Sequence, residues 1–234
     1  MNVNQLSERL RKVADYLPRG AYFADIGSDH AYLPCYVCLH DGDAKAVAGE
    51  VNQGPYESAW NEVRSHGLEN RIDVRLGDGL QVVEPGEIQQ VVVAGMGGPL
   101  IRDILNNGED KLSRVNRIVV QPNIDARSLR RWFYERGFQL VAEEILEENG
   151  HIYEILVAEK GDAHAPYSEV ELEKELWLGP FLMRQKNEVF QKKWEEELNK
   201  KQKILEQIKQ STKDQQEKIK EFEQEIQWLE EVLN

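Results

Sequence analysis

The sequence predicts an α/β fold, an open and mostly parallel sheet, followed by an α-helical coiled-coil hairpin. Five short apolar runs, read as strands, alternate with segments of helical periodicity. This alternation is typical of a parallel sheet with right-handed crossovers. The Asn149-Gly150 pair between two further strand-like runs indicates a β-hairpin, which adds an antiparallel strand. Beyond residues 161–166 the strand signals stop. We therefore predict two domains, residues 1–162 and 163–234.

The apolar spacing and the turn residues give approximate bounds for each element of the first domain. Helices are predicted over residues 4–17, 30–40, 52–66, 100–105 and 125–136. Strands are predicted over residues 22–25, 45–51, 72–76, 90–94, 117–120, 138–146 and 151–159. In the helix over 52–66, Ala59, Trp60 and Val63 are expected to face inward.

The second domain is dense in Glu, Lys and Gln, and its apolar residues recur at helical spacing. From Ile219 to Leu233 the steps alternate between three and four residues, which is the seam pattern of a coiled coil. Residues 211–214 interrupt the pattern, so two antiparallel helices are expected. A single solvated helix is disfavoured because Trp194, Phe222 and Trp228 would be exposed.

Composition restricts the classes of protein. The net charge of −13 argues against a generally basic nucleic-acid binder, although a local basic patch stays compatible with it. No apolar run approaches the roughly 20 residues that span a bilayer, and residues 1–11 are polar, so a cytoplasmic protein is expected. Cys35 and Cys38 form a C-x-x-C without a second ligand pair, which favours packing over a zinc site or redox dithiol.

Acidic and glycine residues follow the first four strands. They are Asp25 and Gly27, then Glu50, then Gly77-Asp78-Gly79, and then Gly95-Met96-Gly97-Gly98. Because ligands of open α/β sheets bind at the carboxyl ends of the strands, this layout predicts an adenosyl ligand. Glu50 is placed for the ribose hydroxyls and Asp78 for the adenine amino group.

The first turn favours a methyl donor over a dinucleotide. A dinucleotide site normally carries G-x-G-x-x-G, whereas this turn reads G-S-D-H. Asp29 would repel a pyrophosphate but suits the amino group or sulfonium of S-adenosylmethionine. We expect His30 to contact the methionine carboxylate rather than act as a base, and Met96 to be an apolar filler or to line the donor.

The sequence resembles the bacterial tRNA adenine-N1 methyltransferases that modify adenine 22, the TrmK family, over nearly its whole length. The segments that carry the resemblance are Ala24-Asp25-Ile26-Gly27-Ser28-Asp29-His30-Ala31-Tyr32-Leu33-Pro34, Gly49-Glu50-Val51-Asn52-Gln53-Gly54-Pro55, Arg75-Leu76-Gly77-Asp78-Gly79-Leu80, Ala94-Gly95-Met96-Gly97-Gly98 and Val120-Gln121-Pro122-Asn123. The resemblance implies a class I, Rossmann-like, S-adenosylmethionine-dependent methyltransferase domain followed by a coiled-coil domain.

With this resemblance the candidate site residues fall into three groups. Candidate cofactor-binding residues are Asp25, Gly27, Asp29, His30, Glu50, Val51, Gly77, Asp78, Gly79, Ala94, Gly95 and Gly97. Candidate catalytic residues are Gln121 and Asn123, which would hold the edge of the target base, and Met96. Candidate tRNA-binding residues are Arg127, Arg130, Arg131, Arg136, Lys192 and Lys193.

Adenine N1 already carries an in-plane lone pair, so its methylation needs alignment more than deprotonation. In-line transfer from the sulfonium is therefore expected, with tRNA as partner, no membrane and no metal. A monomer is expected, and dimerisation through the coiled coil is left open. The alternatives are a small-molecule methyltransferase on the same fold, a non-catalytic adaptor that uses the coiled coil, and an NAD enzyme.

Overall fold

The computed structural model describes residues 3–210 and 215–234. By its internal contacts the chain divides into two compact units, Met1–Pro166 and Tyr167–Asn234.

In the described part of the first unit, seven strands form one sheet in the order β3-β2-β1-β4-β5-β7-β6. The strands are β1 (Tyr22–Ile26), β2 (Lys45–Glu50), β3 (Ile72–Leu76), β4 (Gln90–Met96), β5 (Arg117–Pro122), β6 (Phe138–Glu148) and β7 (His151–Lys160). Strands β1 to β5 are parallel, and β7 runs antiparallel to both β5 and β6. The predicted parallel sheet with a terminal hairpin is confirmed.

The helices that connect these strands are α1 (Glu8–Asp15), α2 (Tyr32–His40), α3 (Gln53–Ser65), α4 (Gly98–Asn107) and α5 (Ala126–Arg136). Helix α1 is shorter than predicted because Ser7 caps it by accepting a hydrogen bond from the Leu10 N–H at 3.3 Å. Helix α2 starts two residues later than predicted, since Asp29, His30 and Ala31 have left-handed backbone conformations.

The predicted orientation of Trp60 is wrong. Ala59 and Val63 are buried, as expected, whereas Trp60 is 42% exposed. Successive helical residues are about 100° apart around the axis, so the residue after Ala59 is carried off the buried face. The Arg64 guanidinium covers the Trp60 ring at 5.1 Å from its centroid.

The core of the sheet lies in β1, β4 and β5. Val91, Val92 and Val93 are fully buried, which agrees with a parallel strand covered on both faces. Cys35 and Cys38 on α2 are fully buried free thiols, and burial raises the pKa of Cys38 to about 11. These facts agree with their interpretation as packing residues.

The second unit is helical where the structure describes it. Its helices are α6 (Leu172–Leu178), α7 (Pro180–Gln185), α8 (Glu188–Lys209) and α9 (Gln216–Leu233). Helices α8 and α9 are joined by ion pairs from Lys201 to Glu225 at 2.7 Å and from Lys209 to Glu223 at 2.6 Å. Trp194 is buried and meets the Trp177 ring edge-on at 5.1 Å between centroids. The predicted interruption at 211–214 lies outside the described residues.

The described residues contain neither a helix with the length and apolarity to cross a membrane nor a group of three side chains that could hold a metal ion.

Candidate active site

The turn after β1 lies against the ends of β2 and β4. Gly27 has φ +71°, and its N–H donates to the Gly49 carbonyl of β2 at 2.9 Å. A Cβ added at Gly27 would lie 2.1 Å from the Met96 Cε. The positive φ therefore favours glycine here, whereas the Met96 Cε is the end of a flexible side chain and can move away from a Cβ.

The turn continues through three left-handed residues, Asp29, His30 and Ala31, with φ of 42°, 67° and 53°. Non-glycine residues seldom adopt this conformation, and such strain concentrates at functional sites. Glu50 supports the turn because its carboxylate accepts a short hydrogen bond from the Asp29 N–H. The His30 ring stacks on Tyr32 at 5.2 Å between centroids, and the Asp29 side chain is largely exposed.

Two buried carboxyl groups lie under this turn. Asp25 is 4% exposed and accepts a hydrogen bond from the Ser28 Oγ at 2.6 Å. Burial raises the pKa of Asp25 to about 7, against the lowering effect of Ser28. Burial also raises the pKa of Glu50, although the Asp29 N–H opposes that shift. A cation bound beside these carboxyl groups would favour their ionised forms.

A β-bulge shapes the end of β4. Ala94 pairs with Gln121 and Met96 with Pro122, so Gly95 is the extra residue. Its N–H donates to the Gln121 Oε1 at 3.0 Å, and its carbonyl accepts from the Asn123 Nδ2 at 2.8 Å. Side chains of β5 and the residue after it thus satisfy the backbone groups that the bulge leaves unpaired.

The prediction that Gln121 holds the target base is therefore wrong. Gln121 is fully buried, its Oε1 accepts from Gly95, and its Nε2 donates to the Asn123 Oδ1 at 3.3 Å. Gln121 instead positions the Gly95 turn. Asn123 is exposed, and it alone of the two lies where a base could reach it.

Arg9 is a site residue that the sequence patterns did not predict. From α1 its Nη1 donates a short hydrogen bond to the Gln121 Oε1, and its guanidinium lies 5.0 Å from the centroid of the Tyr153 ring. The Arg9 Nε is buried and has no hydrogen-bond partner among the described residues. The only sequence signal was a basic residue beside the apolar stripe of α1, in a segment that contains other charges.

The structure brings most of the predicted cofactor residues of the first and fourth strands to one cleft of about 240 Å³. Its lining includes Arg9, Asp25, Gly27, Ser28, Asp29, Ala94, Gly95 and Met96. Asp78 and Gly79 line a different cavity of about 120 Å³, together with Leu100 and Ile104. Val51 is 60% exposed at the end of β2, and the Gly77 N–H donates to the Glu50 carbonyl at 2.8 Å.

The predicted tRNA-binding residues lie in different surroundings. Arg127 and Arg131 line a cleft of about 290 Å³ with Arg102 and Trp132, and Arg136 is exposed and pairs with Glu109 at 3.3 Å. Arg130 is fully buried and paired with Glu143 and Glu154, so the prediction that it contacts tRNA is wrong. In the second unit Lys192 is exposed, whereas the Lys193 Nζ lies 4.5 Å from the Trp194 ring centroid.

The strand order and the acidic, glycine-lined carboxyl edge define a Rossmann-like methyltransferase fold. The family model TrmK, tRNA (adenine(22)-N(1))-methyltransferase, matches residues 23–231, and the chain belongs to this family.

Individual relatives agree with that membership over the whole chain. A tRNA (adenine(22)-N(1))-methyltransferase of Bacillus subtilis is 48% identical over 236 residues, which cover 100% of this chain and 99% of the relative. The crystal structure of the B. subtilis m1A22 tRNA methyltransferase TrmK matches with a TM-score of 0.94 at 47% identity, and covers 98% of this chain and 99% of that one.

A Streptococcus pneumoniae structure solved in complex with S-adenosyl-L-methionine matches with a TM-score of 0.87 at 40% identity, and covers 98% of this chain and all of that one.

Proposed function

We propose that this protein transfers the methyl group of S-adenosylmethionine to N1 of adenine 22 in tRNA. The observation that carries the proposal is the cleft where the buried Asp25 carboxyl, the Gly27 turn and the Gly95 bulge meet, in a chain of the TrmK family. Bound S-adenosylmethionine supplies an electrophilic methyl group on a sulfonium.

The residues of the cleft fit this cofactor. Asp25 and Asp29 offer negative charge to its amino and sulfonium groups, and the unpartnered Arg9 Nε offers a donor to its carboxylate. We assign Glu50 to the ribose and Asp78 to the adenine. The remaining proposed contacts are backbone or flanking positions at Gly27, His30, Val51, Gly77, Gly79, Ala94, Gly95 and Gly97.

The target adenine needs positioning rather than a base. Its N1 lone pair lies in the ring plane, and alignment with a methyl donor can supply about 7–11 kcal/mol of the barrier in well-oriented systems. Asn123 is exposed beside Gly95 and is our candidate for the base edge, with Met96 lining the cleft. The methylated base is a cation, so the acidic lining stabilises the charge that develops.

The helices of the second unit support a more detailed proposal. Lys209, which lies later in α8 than Lys201, pairs with Glu223, which lies earlier in α9 than Glu225. The two helices therefore run antiparallel, as a coiled-coil hairpin requires. We propose a methyltransferase domain over 1–162 and a coiled-coil domain over 163–234 that offers Lys192 and Lys193 to tRNA. We further propose that the protein acts in the cytoplasm as a monomer.

The decisive experiment incubates the purified protein with radiolabelled S-adenosylmethionine and an unmodified tRNA transcript, and then maps the labelled nucleoside. N1-methyladenosine at position 22 is expected, and a matched transcript with guanine at position 22 should stay unlabelled. If the protein binds the cofactor but transfers no methyl group to the tRNA, the assignment of tRNA as substrate is overturned. A small-molecule methyltransferase would then be the alternative. Absence of cofactor binding would favour a non-catalytic adaptor.

A further inference from the structure

Ile124 is an exposed aliphatic side chain on a firmly held loop at the rim of the cleft. It is 69% exposed, although it directly follows Asn123 of the site. The backbone around it is fixed, because the Asn123 N–H donates to the Met96 carbonyl at 2.7 Å and the Gly98 N–H donates to the Ile124 carbonyl at 2.9 Å.

Two glycines bring this loop against the end of β4. A Cβ added at Gly98 would lie 2.0 Å from the Asp125 carbonyl oxygen, so the loop can pack here only on a glycine. The Ile124 Cγ1 lies 3.6 Å from the Cβ position of Gly97. The exposed side chain is therefore held beside Gly97, one residue from Met96 of the cleft.

The surface beyond Ile124 carries a cluster of arginines, which are side chains that commonly contact the phosphates of nucleic acids. Asp125 is the next residue, and it lines the 290 Å³ cleft that contains Arg102, Arg127 and Arg131. The cleft gathers three arginines within a chain of net charge −13, together with the carboxylates of Asp125 and Glu135, and Arg102 pairs with Asp103 at 2.9 Å. Ile124 therefore lies one residue along the chain from the lining of this arginine-rich cleft.

We propose that Ile124 is a wedge that enters the base stack of the tRNA and fills the space left when the target adenine is displaced into the cleft. This inference rests on the proposed function. Adenine N1 lies on the base-pairing edge, so the base must leave its stack to reach a methyl donor. Proteins that unstack nucleic acid frequently insert Ile, Leu or Met between bases, which offsets an unstacking cost of a few kcal/mol per step.

The proposal is tested with Ile124→Ala, with Ile124→Leu as the conservative variant. The matched control is Leu39→Ala, which removes another exposed aliphatic side chain, 41% exposed, from the end of α2 at the opposite edge of the sheet. Adenine extrusion is followed by the fluorescence of 2-aminopurine placed at position 22, which rises when the base unstacks. Methyl transfer to the native transcript is measured as kcat/KM.

Ile124→Ala should lower kcat/KM for tRNA by about tenfold and abolish most of the fluorescence rise, because the unstacked state loses its support. The cofactor affinity and the melting temperature of Ile124→Ala should stay at wild-type values. Ile124→Leu should retain most of the fluorescence rise and most of kcat/KM, and Leu39→Ala should behave as the wild type does.

Equal fluorescence and kcat/KM in Ile124→Ala and the wild type would overturn the wedge while leaving the proposed function intact. A wild-type enzyme that methylates tRNA without a fluorescence rise would overturn it as well. A wild-type protein that does not methylate tRNA would overturn the proposed function itself.

Discussion

At the residue scale, we expect the Asp25 carboxyl to make cofactor binding sensitive to pH. Its pKa of about 7 means that it is largely protonated at pH 6 and gains charge as the pH rises. A sulfonium binds the ionised form better, so the affinity for S-adenosylmethionine should increase by up to about tenfold from pH 6 to 7.5. The ligand's own amino group stays mostly protonated over this range, since α-amino groups titrate at about 7.7–8.0. Titration calorimetry at each pH measures the effect.

Asp25→Asn should give a lower affinity and a nearly flat dependence of affinity on pH. An equally steep dependence would show that another group titrates.

The stability of the free protein provides a second readout. The unfolded carboxyl titrates near 3.8 and the folded one near 7, so the folded state binds more protons between these values. The free energy of unfolding should therefore fall as the pH rises across this window, and less so in Asp25→Asn.

Arg9 gives a prediction about one functional group of the ligand. If its guanidinium binds the cofactor carboxylate, Arg9→Gln should weaken S-adenosylhomocysteine binding about 10- to 100-fold, as expected for a charged hydrogen bond. An analogue without the carboxylate should bind both proteins equally. Arg11→Gln is the matched control, because Arg11 is on the same helix but pairs with Glu8 at 2.5 Å and Asp15 at 2.9 Å.

Equal reductions in affinity for the two ligands would mean that Arg9 acts only through Gln121 and the Gly95 bulge, to which its Nη1 is joined. The calorimetric comparison separates these roles because it does not depend on turnover.

At the scale of elements, Arg130 fastens α5 to the β6–β7 hairpin. Its Nε donates to the Glu143 Oε1 at 2.5 Å, and its Nη2 pairs with Glu154; all three side chains are buried. Arg130→Ala leaves two carboxylates buried without this cation, so the free energy of unfolding should fall by about 3–5 kcal/mol in urea titrations. Arg136→Ala on the same helix removes an exposed pair with Glu109 and should cost less than about 1 kcal/mol. Similar destabilisation in both variants would contradict this assignment.

Local chemistry explains which elements were predictable. Gly27, Asn149 and Gly150 adopt positive φ angles, which glycine and asparagine favour, and Asp25 precedes the first of these turns. The end of β1 and the hairpin can therefore be predicted from the residue types alone. The roles of Gln121, Arg9 and Arg130 depend on partners more than ten residues away, such as the Gly95 bulge and the Glu143 carboxylate. A helix pattern identifies α5, but not which of its arginines the hairpin covers.

At the scale of the whole molecule, an acidic protein that binds tRNA needs its basic side chains to be clustered where the phosphates lie. The chain has 42 acidic against 29 basic residues, and several lysines of the second unit already pair with glutamates, as Lys201 does with Glu225. Such pairs contribute little net attraction for phosphates. In the first unit, the arginines that are gathered in one cleft near Ile124 are the candidates that we test for tRNA contact.

Reversing this charge should weaken tRNA binding in a salt-dependent manner. For Arg127→Glu with Arg131→Glu, the slope of log K against log salt concentration should decrease by about 0.7–0.9 for each phosphate that the protein no longer neutralises. Arg19→Glu is the matched control, because Arg19 is exposed in the loop that precedes β1, at the opposite edge of the sheet. Filter binding from low to high salt, about 50 to 200 mM, measures the slopes. If the double variant keeps the wild-type slope, these arginines do not contact phosphates, and the lysines of the helical unit become the place to search for the tRNA contacts.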